Sequence, residues 1–410
     1  MFSLFEILSQ LVGGSLIFWP LLNSLAIIAL FLYWIFFGQK RKPEEKITFY
    51  LFCLFASLYL LKIIGTIYSS DLKTAGFKLQ QTSALLVLPL IYAFSSLQRN
   101  RFNRTMDFFS ICCAAGVLAG LGWGVVRLFN TGSLHHLQGY DLVILKGMAP
   151  YIFGLCCLTS MSWNAYRLEQ DGRTVNKIFW LRISLLLLFT LFLLLLGNRL
   201  SIMLLFFLVL IYFFKTNFRK SYKIAGLSLV VFLVMAMGMV TPKLQQQWNE
   251  IRAISKQQII RLDEDSSLGR SWGGGVLRLA IWQCAFDVFQ EHPLAGVGTG
   301  DAQQALQESY EKRKFYFASR YNKYNAHNQY IQQLVTHGLP GLLLLIACIA
   351  TGLVIAFRSG NDLALFFWVC FGVACFTESI LEINKGIVWF SFFGSLFGLQ
   401  SNDDQLPTPK

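Results

Sequence analysis

The sequence predicts an all-α polytopic membrane protein, and three observations carry that prediction. Of its 410 residues, 55% are hydrophobic and only 14% are charged, too little polar surface to cover a soluble domain of this size. The apolar residues come in long unbroken runs that suit membrane helices, rather than in the short alternating segments of an outer-membrane barrel. The short connections between runs alternate between strongly and weakly basic, which is how a chain threaded back and forth through a bilayer distributes its Lys and Arg.

The apolar runs fall near residues 15–37, 47–68, 82–97, 107–129, 147–166, 178–197, 200–214, 223–241, 338–357, 362–378 and 386–400. They give about 11–12 transmembrane helices, the twelfth being the segment 2–14 if it enters the bilayer. The N-terminus, MFSLFEILSQ, has neither the positive region nor the small-residue cleavage site of a secretory signal, and reads as part of the mature protein, with an interfacial role as the other possibility. The connections 39–46, 98–104, 167–177 and 215–223 hold fourteen Lys or Arg between them and belong on the cytoplasmic side. The poorly basic connections 69–81, 130–146, 198–199 and 379–385 alternate with them, so one orientation satisfies the whole chain. It puts the C-terminus inside and the long segment 242–337 outside; the eleven Lys and Arg of that segment do not oppose this, because long loops translocate whatever their charge. The expected organisation is N-terminal transmembrane helices over 1–241, a periplasmic helical loop over 242–337, C-terminal transmembrane helices over 338–400 and a cytoplasmic tail over 401–410. Any chemistry then belongs on the outer side of the membrane.

Composition also excludes several functions. The net charge of +13 on so apolar a chain is explained by topology, so no nucleic-acid partner is implied. Eight of the nine cysteines lie in apolar runs, and none forms a CxxC or Cys/His pattern, which argues against a disulfide framework and a structural metal. His135, His136 and Asp141 match no ligand spacing. No repeat of 20–50 residues is present, and GVGTGD (296–301) has neither the spacing nor the preceding strand of a dinucleotide site. All five histidines, at 135, 136, 292, 327 and 337, fall on the outer side.

Within the outer loop, Leu279, Trp282, Phe286 and Phe289 recur at the three-and-four spacing of an amphipathic helix that Pro293 ends. Gly296, Gly298 and Gly300 make a turn-rich link, Asp301 is placed to cap a second helix, and a third runs from about residue 326 into the next span. His327 precedes that third helix. An imidazole is the side chain best suited to accept a hydroxyl proton near neutral pH, although the sequence alone favours a hydrogen-bonded structural histidine. Arg199, in a two- or three-residue connection, reads as a snorkelling anchor, and Arg278 as part of a solvated helix face. Lys312, Arg313, Lys314, Arg320 and Lys323, interleaved with Tyr310, Tyr316, Tyr321 and Tyr324, form either a glycolipid-binding surface or a headgroup-facing basic one. Lys146 pairs with lipid phosphate or snorkels, and Glu378 and Glu382, flanking the last outer turn, are placed to pair with basic residues across the bundle.

The stretch AHNQYIQQLVTHGLPG (326–341), with His327-Asn328 followed after nine residues by Gly338-Leu339-Pro340-Gly341, resembles the signature of the bacterial O-antigen ligase family and its relatives, the O-antigen polymerases and O-oligosaccharyltransferases. RLAIW (278–282) with HPLAGVGTG (292–300), and GNRLS (197–201), resemble further segments of that family. The resemblance implies a GT-C-like membrane glycosyltransferase that needs no cofactor and no metal. It implies His327 as the group activating the acceptor hydroxyl, and Arg199 and Arg278 as the guanidiniums that hold a diphosphate. Arg270 competes with Arg278 for the second role, and Asn328, Lys146 and Arg320 are further candidate substrate contacts. The implied reaction is an inverting transfer of a glycan from a polyprenyl (undecaprenyl) diphosphate carrier to a sugar of the lipid A core, in lipopolysaccharide biosynthesis. The alternative is a polymerase that takes a second carrier-linked repeat as acceptor. A transporter would show repeated halves, interrupted helices and midplane charges, which this sequence lacks; a purely structural membrane scaffold is the blandest alternative.

Overall fold

The computed structural model describes residues 3–38, 40, 46–95, 99–171, 176–215, 224, 228 and 274–399. The run at 223–241 apart from two positions, the first part of the outer loop with Arg270, and the tail 401–410 lie outside them. The protein is an all-α polytopic membrane protein, with helices and turns but no strand among the described residues. Five helices are long and apolar enough to cross a membrane, namely Pro20–Phe37, Lys46–Ile67, Asn100–Thr131, Lys177–Leu196 and Gln329–Arg358. Leu4–Phe18, Arg199–Ile211 and Asp362–Thr377 are shorter apolar helices.

The first apolar stretch divides where proline dictates. Helix α1 (Leu4–Phe18) starts on Ser3, whose hydroxyl accepts from Glu6 N at 3.3 Å, and ends at Trp19. Helix α2 (Pro20–Phe37) opens on Pro20, because a first-turn residue has no intrahelical N–H bond to lose. The run read as 15–37 is therefore the last turn of one helix followed by a second. Helix α1 lies beside α6 (Arg99–Thr131) and runs in the same direction, with Glu6 paired to Arg104, Gly14 against Phe108 and Cys112, and Ile17 against Gly116. It is thus a member of the bundle, not a strip laid on its edge. Arg104 marks what is called below the basic end; the opposite end, where residues 274–327 sit, is the loop end.

Helix α3 (Lys46–Ile67) rises to the loop end and turns into α4 (Leu72–Thr82), capped by Asp71, which accepts from Thr74 N at 2.9 Å. Helix α5 (Ala84–Ala93) follows after Ser83. Helices α7 (Pro150–Gln170), α8 (Lys177–Leu196) and α9 (Arg199–Lys215) then pass between the ends in alternation, and α8 closes on left-handed Gly197. The C-terminal helix α14 (Asn384–Gly398) is the axis of the bundle, with every residue from Lys385 to Gly398 buried. Its burial on every side, with Lys385, Ser391 and Ser395 among the enclosed residues, marks a helix surrounded by others and not by lipid. Phe390 stacks on Phe371 with centroids 3.8 Å apart, and Phe367 contacts Trp389 and Phe397. All nine cysteines are free.

The outer segment contributes α10 (Gly274–Glu291), α11 (Ala302–Lys312) and a π-helical turn at Phe317–Asn322. They pack round an apolar cluster of their own that includes Ile281, Cys284, Val288, Leu306, Tyr310 and Phe315. The face of α10 that packs is not the stripe the sequence suggests: Leu279 and Phe286 are 48% and 50% exposed, while Ala280, Ile281, Cys284 and Ala285 are fully buried. Small side chains bring α10 close to its neighbours, Ile281, Val288 and half-buried Trp282 pack with them, and Leu279 and Phe286 are left on the outside. Asp301 also departs from expectation. It occupies the cap position of α11 but makes no capping bond; its carboxylate instead accepts from Ser70 N at 2.6 Å and Asp71 N at 2.8 Å, tying the loop to the α3–α4 turn.

The glycine-rich link is the clamp that fixes this unit on the bundle. Thr299 bonds the Lys62 carbonyl through its hydroxyl at 2.7 Å and the Gly65 carbonyl through its N–H at 3.2 Å, while Val297 N and Gly298 N reach Val335 O and Thr336 O, each at 3.0 Å. On the far side lies Gly338, at φ 65° and ψ −155°, the kink in α12 (Gln329–Arg358). A Cβ there would stand 2.6 Å from backbone atoms of Pro293 and Leu294, and one at Gly296, φ 66°, 2.4 Å from the Thr336 carbonyl carbon. Only glycine combines these angles with that contact. Helix α13 (Asp362–Thr377) and the short turn Ile380–Glu382 complete the loop end.

Candidate functional site

At the loop end, two distant chain segments meet on one carboxylate of a third. Glu378, just past the end of α13 and 11% exposed at its side chain, accepts from Arg278 Nη2 at 2.7 Å through Oε1 and faces His327 Nδ1 at 3.1 Å through Oε2. The sequence placed His327 and Arg278 49 positions apart, with Glu378 51 positions beyond the histidine. Folding brings all three within direct contact.

Each member is held by its own local structure. Arg278 sits in the second turn of α10, where its Nε donates to Thr377 O at 3.2 Å and its Nη1 to Gly274 O at 3.4 Å. Three of its five N–H groups are thus engaged, and the rest are available to another acceptor. His327 has φ +44°, a left-handed conformation that a non-glycine residue adopts at a cost of about 1–3 kcal/mol. The strain is fixed from both sides. Ala326 O accepts from Trp282 Nε1 at 3.0 Å, Ala326 N donates to Gln332 Oε1 at 3.1 Å, and His327 N donates to Asn325 Oδ1 at 3.0 Å. One residue later, Asn328 N donates to Ser379 Oγ at 3.2 Å, which anchors this turn beside Glu378.

A carboxylate on Nδ1 selects the tautomer that carries its proton there, and leaves Nε2 with a lone pair. Glu378 therefore orients His327 as a proton acceptor and pairs with Arg278 at the same time. Tyr324 sets its ring edge-on to the imidazole, with centroids 5.3 Å apart, and burial raises its phenol above the ordinary range. Tyr140 and Tyr151 lie within electrostatic range of Glu378 and Arg278. Nothing in the spacing of these two tyrosines pointed to the site; they arrive through the connection before α7 and its first turn.

The remaining candidates separate. Arg199 opens α9 at the loop end and is half-buried. Two residues on, Ser201 meets Gly154 of α7, one turn along from Tyr151, which places the start of α9 beside that end of α7. Asn328 is 4% exposed and takes the structural role of a helix cap, its Oδ1 accepting from Tyr330 N at 2.9 Å and Ile331 N at 3.1 Å. Arg320 is exposed, stacked 4.0 Å over Tyr316 and 3.5 Å from Glu311, away from the carboxylate cluster. Lys312 pairs with Glu291 at 3.3 Å and Arg313 with Asp287, so much of the basic stretch is spent on acids of the loop itself. Lys146 is exposed ahead of α7 and is not part of the cluster. Arg270 lies outside the described residues.

Glu382 forms a second ion cluster one turn away. Lys78 Nζ lies at 2.6 Å and Lys62 Nζ at 3.8 Å, and Gln81 donates to the Glu382 carbonyl at 3.2 Å. Burial pushes the Glu382 carboxyl up, but the two ammoniums pull it further, and the net is below its usual range. Both glutamates thus pair across the bundle, as their position in the last outer turn suggested. His337 is a buried structural residue, Nδ1 on Gln333 Oε1 at 2.9 Å and Nε2 3.4 Å from Thr299 Oγ1.

The ligating atoms of His135, His136 and Asp141 do come within 4.8 Å of one another, although their spacing matches no pattern. The bond from His136 at 2.7 Å holds the Asp141 carboxyl below its ordinary range, and the Arg127 guanidinium 3.5 Å from its other oxygen already supplies a positive charge, which opposes a metal cation there.

Residues 184–346 match the family model described as O-antigen ligase, a stretch that runs from α8 through the His327 turn into α12. No curated protein matches the chain.

Proposed function

We propose, from the match of residues 184–346 to the O-antigen ligase family model, that the chain is an O-antigen ligase, moving a glycan from a polyprenyl diphosphate carrier to a hydroxyl of the lipid A core at the periplasmic face of the inner membrane. The observation that carries this reading is the single Glu378 carboxylate joining the His327 imidazole to the Arg278 guanidinium. Outside the cytoplasm there is no nucleoside triphosphate, so the donor must arrive already activated. A sugar on a polyprenyl diphosphate meets that need.

His327 Nε2 takes the proton of the acceptor hydroxyl as its oxygen attacks the anomeric carbon. The bond from that carbon to the diphosphate breaks on the opposite face, so the anomeric configuration inverts. The polyprenyl diphosphate departs with its extra charge held by guanidinium N–H groups, Arg278 from α10 and Arg199 from the start of α9. Such donors act most strongly where charge develops in a partly dehydrated site, and here they do work that a divalent cation does in other diphosphate-leaving reactions.

Two expectations follow for the supporting residues. Arg199→Ala lowers transfer by about 10²- to 10³-fold at saturating acceptor, measured as label released from the carrier; turnover within twofold of wild type would remove Arg199 from the diphosphate site. Glu378→Gln keeps an acceptor of the same shape but no charge. It is expected to lower kcat more than KM, whereas a merely structural role would lower the amount of folded protein and leave the kcat of what remains near wild type. The whole reading is tested by reconstituting the protein with a polyprenyl diphosphate glycan and offering lipid A core and a second donor in separate reactions. Label on lipid A core is the expected result; elongation of the carrier-linked chain alone would identify a polymerase instead.

A further inference from the structure

At the opposite end of the bundle, α6, α7 and α8 enclose a cavity of about 540 Å³ lined by Asp107, Ser110, Asn164, Arg167, Arg182 and Leu185 among others. That is the size of a small-molecule site. Arg182 lies fourteen residues before the loop end of α8, about 21 Å along its axis, so this cavity has no part in the His327 cluster.

The polar groups of the cavity are not closed on one another. Arg182 is 6% exposed. Its Nη1 donates to Asn164 Oδ1 at 3.2 Å, and Nη1 and Nη2 donate to Asp107 Oδ1 at 3.3 Å each. Among the described residues its Nε makes no hydrogen bond, its nearest acceptor being Asp171 Oδ2 in an ion pair at 3.6 Å, a carboxylate already held by Arg167 at 3.0 Å. A buried guanidinium N–H without an acceptor is costly and rare. The opposite vacancy lies on Asp107. Trp163 Nε1, at 2.8 Å, and both Arg182 contacts all end on Oδ1, which leaves Oδ2 open to a further donor. A buried guanidinium with one N–H not hydrogen-bonded thus stands beside a carboxylate whose second oxygen still accepts.

The mouth is apolar. Ile111, Ile178 and Leu181 line it and are 59%, 54% and 55% exposed, as residues facing lipid tails are. The flanking basic residues Arg104 and Lys177 place it at the basic end.

The geometry points to a binding site for the headgroup of an ethanolamine phospholipid, with its phosphate on Arg182 and its ammonium on Asp107, and its acyl chains leaving between Ile111, Ile178 and Leu181. A singly anionic glycerol headgroup would satisfy Arg182 but face Asp107 with no cation to offer. The site is independent of the proposed transfer reaction.

The test is native mass spectrometry of the full-length protein from detergent containing equal amounts of phosphatidylethanolamine and phosphatidylglycerol with matched chains. One retained lipid is expected, enriched about tenfold in the ethanolamine form, equivalent to about 1.4 kcal/mol. Asp107→Asn, which keeps an oxygen for Trp163 and Arg182, is expected to bring the ratio close to one. Leu185→Trp, which fills the cavity, is expected to abolish the tightly retained lipid while the protein remains monodisperse. Equal retention of the two lipids by the wild type would overturn the proposal, as would enrichment unchanged in both variants. Soluble phosphoethanolamine is expected not to displace the lipid at matched concentration; displacement would show a site for a free solute and overturn the lipid assignment.

Discussion

His327→Ala is expected to lower glycan transfer by about 10²- to 10⁴-fold, the range lost when a positioned general base is removed. The loss falls on kcat, because the imidazole acts on the acceptor proton in the transition state and contributes little to holding the donor. The variant relieves backbone strain only in part, since alanine also disfavours the φ of +44° at this position. The Asn328 cap, with its two bonds to Tyr330 N and Ile331 N, stays intact. The purified protein should therefore elute and melt close to wild type. His327→Gln is the sharper version: it can still donate a hydrogen bond to Glu378, yet it cannot take a proton, so it should be as inactive as alanine. Turnover of either variant within threefold of wild type, measured as label moved from carrier to acceptor, would show that His327 is structural.

Arg278→Ala carries the second large effect, about 10²- to 10³-fold in transfer. It acts twice. It removes guanidinium N–H groups from the place where leaving-group charge develops, and it leaves Glu378 without its 2.7 Å partner. An unpaired carboxylate then pulls harder on His327 and competes with the diphosphate, so KM for the donor is expected to rise along with the fall in kcat. Arg278→Lys should rescue poorly. A single ammonium cannot reach Thr377 O and Glu378 together while keeping donors in reserve, as the planar fork does. Lysine restoring more than a third of wild-type activity would show that only the charge at this position matters, not its geometry.

Much of the fold was legible because each signal was local. Apolar run length located α3, α8 and α13 to within a few residues, and the basic connections assigned one end of the bundle. Pro20 was visible too, yet the run across it read as one span, since hydropathy averages over a break that a single N–H decides. Asp301 shows the other limit: its type and position are right for a cap, but two backbone N–H groups from the α3–α4 turn compete for the carboxylate and win. The stripe on α10 failed for a related reason. Periodicity records which faces are apolar, whereas the packed face was chosen by the small volumes of Ala280, Cys284 and Ala285.

In the site, His327, Arg278 and Arg199 came from the family resemblance, because nothing in composition or spacing distinguishes them from a structural histidine and two surface arginines. Glu378 was singled out from its place in the last outer turn, but its partners depend on contacts across 51 and 100 positions that no periodicity encodes. The tyrosines at 140 and 151 gave no signal at all. Asn328, which the motif offers both as a cap and as a sugar contact, has its Oδ1 on the Tyr330 and Ile331 N–H groups, as the first of these roles requires.

The central claim is that Glu378 and His327 work as one unit, and a double-mutant cycle on the transfer rate tests it most directly. If the carboxylate acts by orienting the imidazole, Glu378→Gln added to His327→Ala costs little more than the loss already caused by the alanine, and the cycle is strongly non-additive. Full additivity of the two losses would mean that the 3.1 Å contact between them has no part in the reaction.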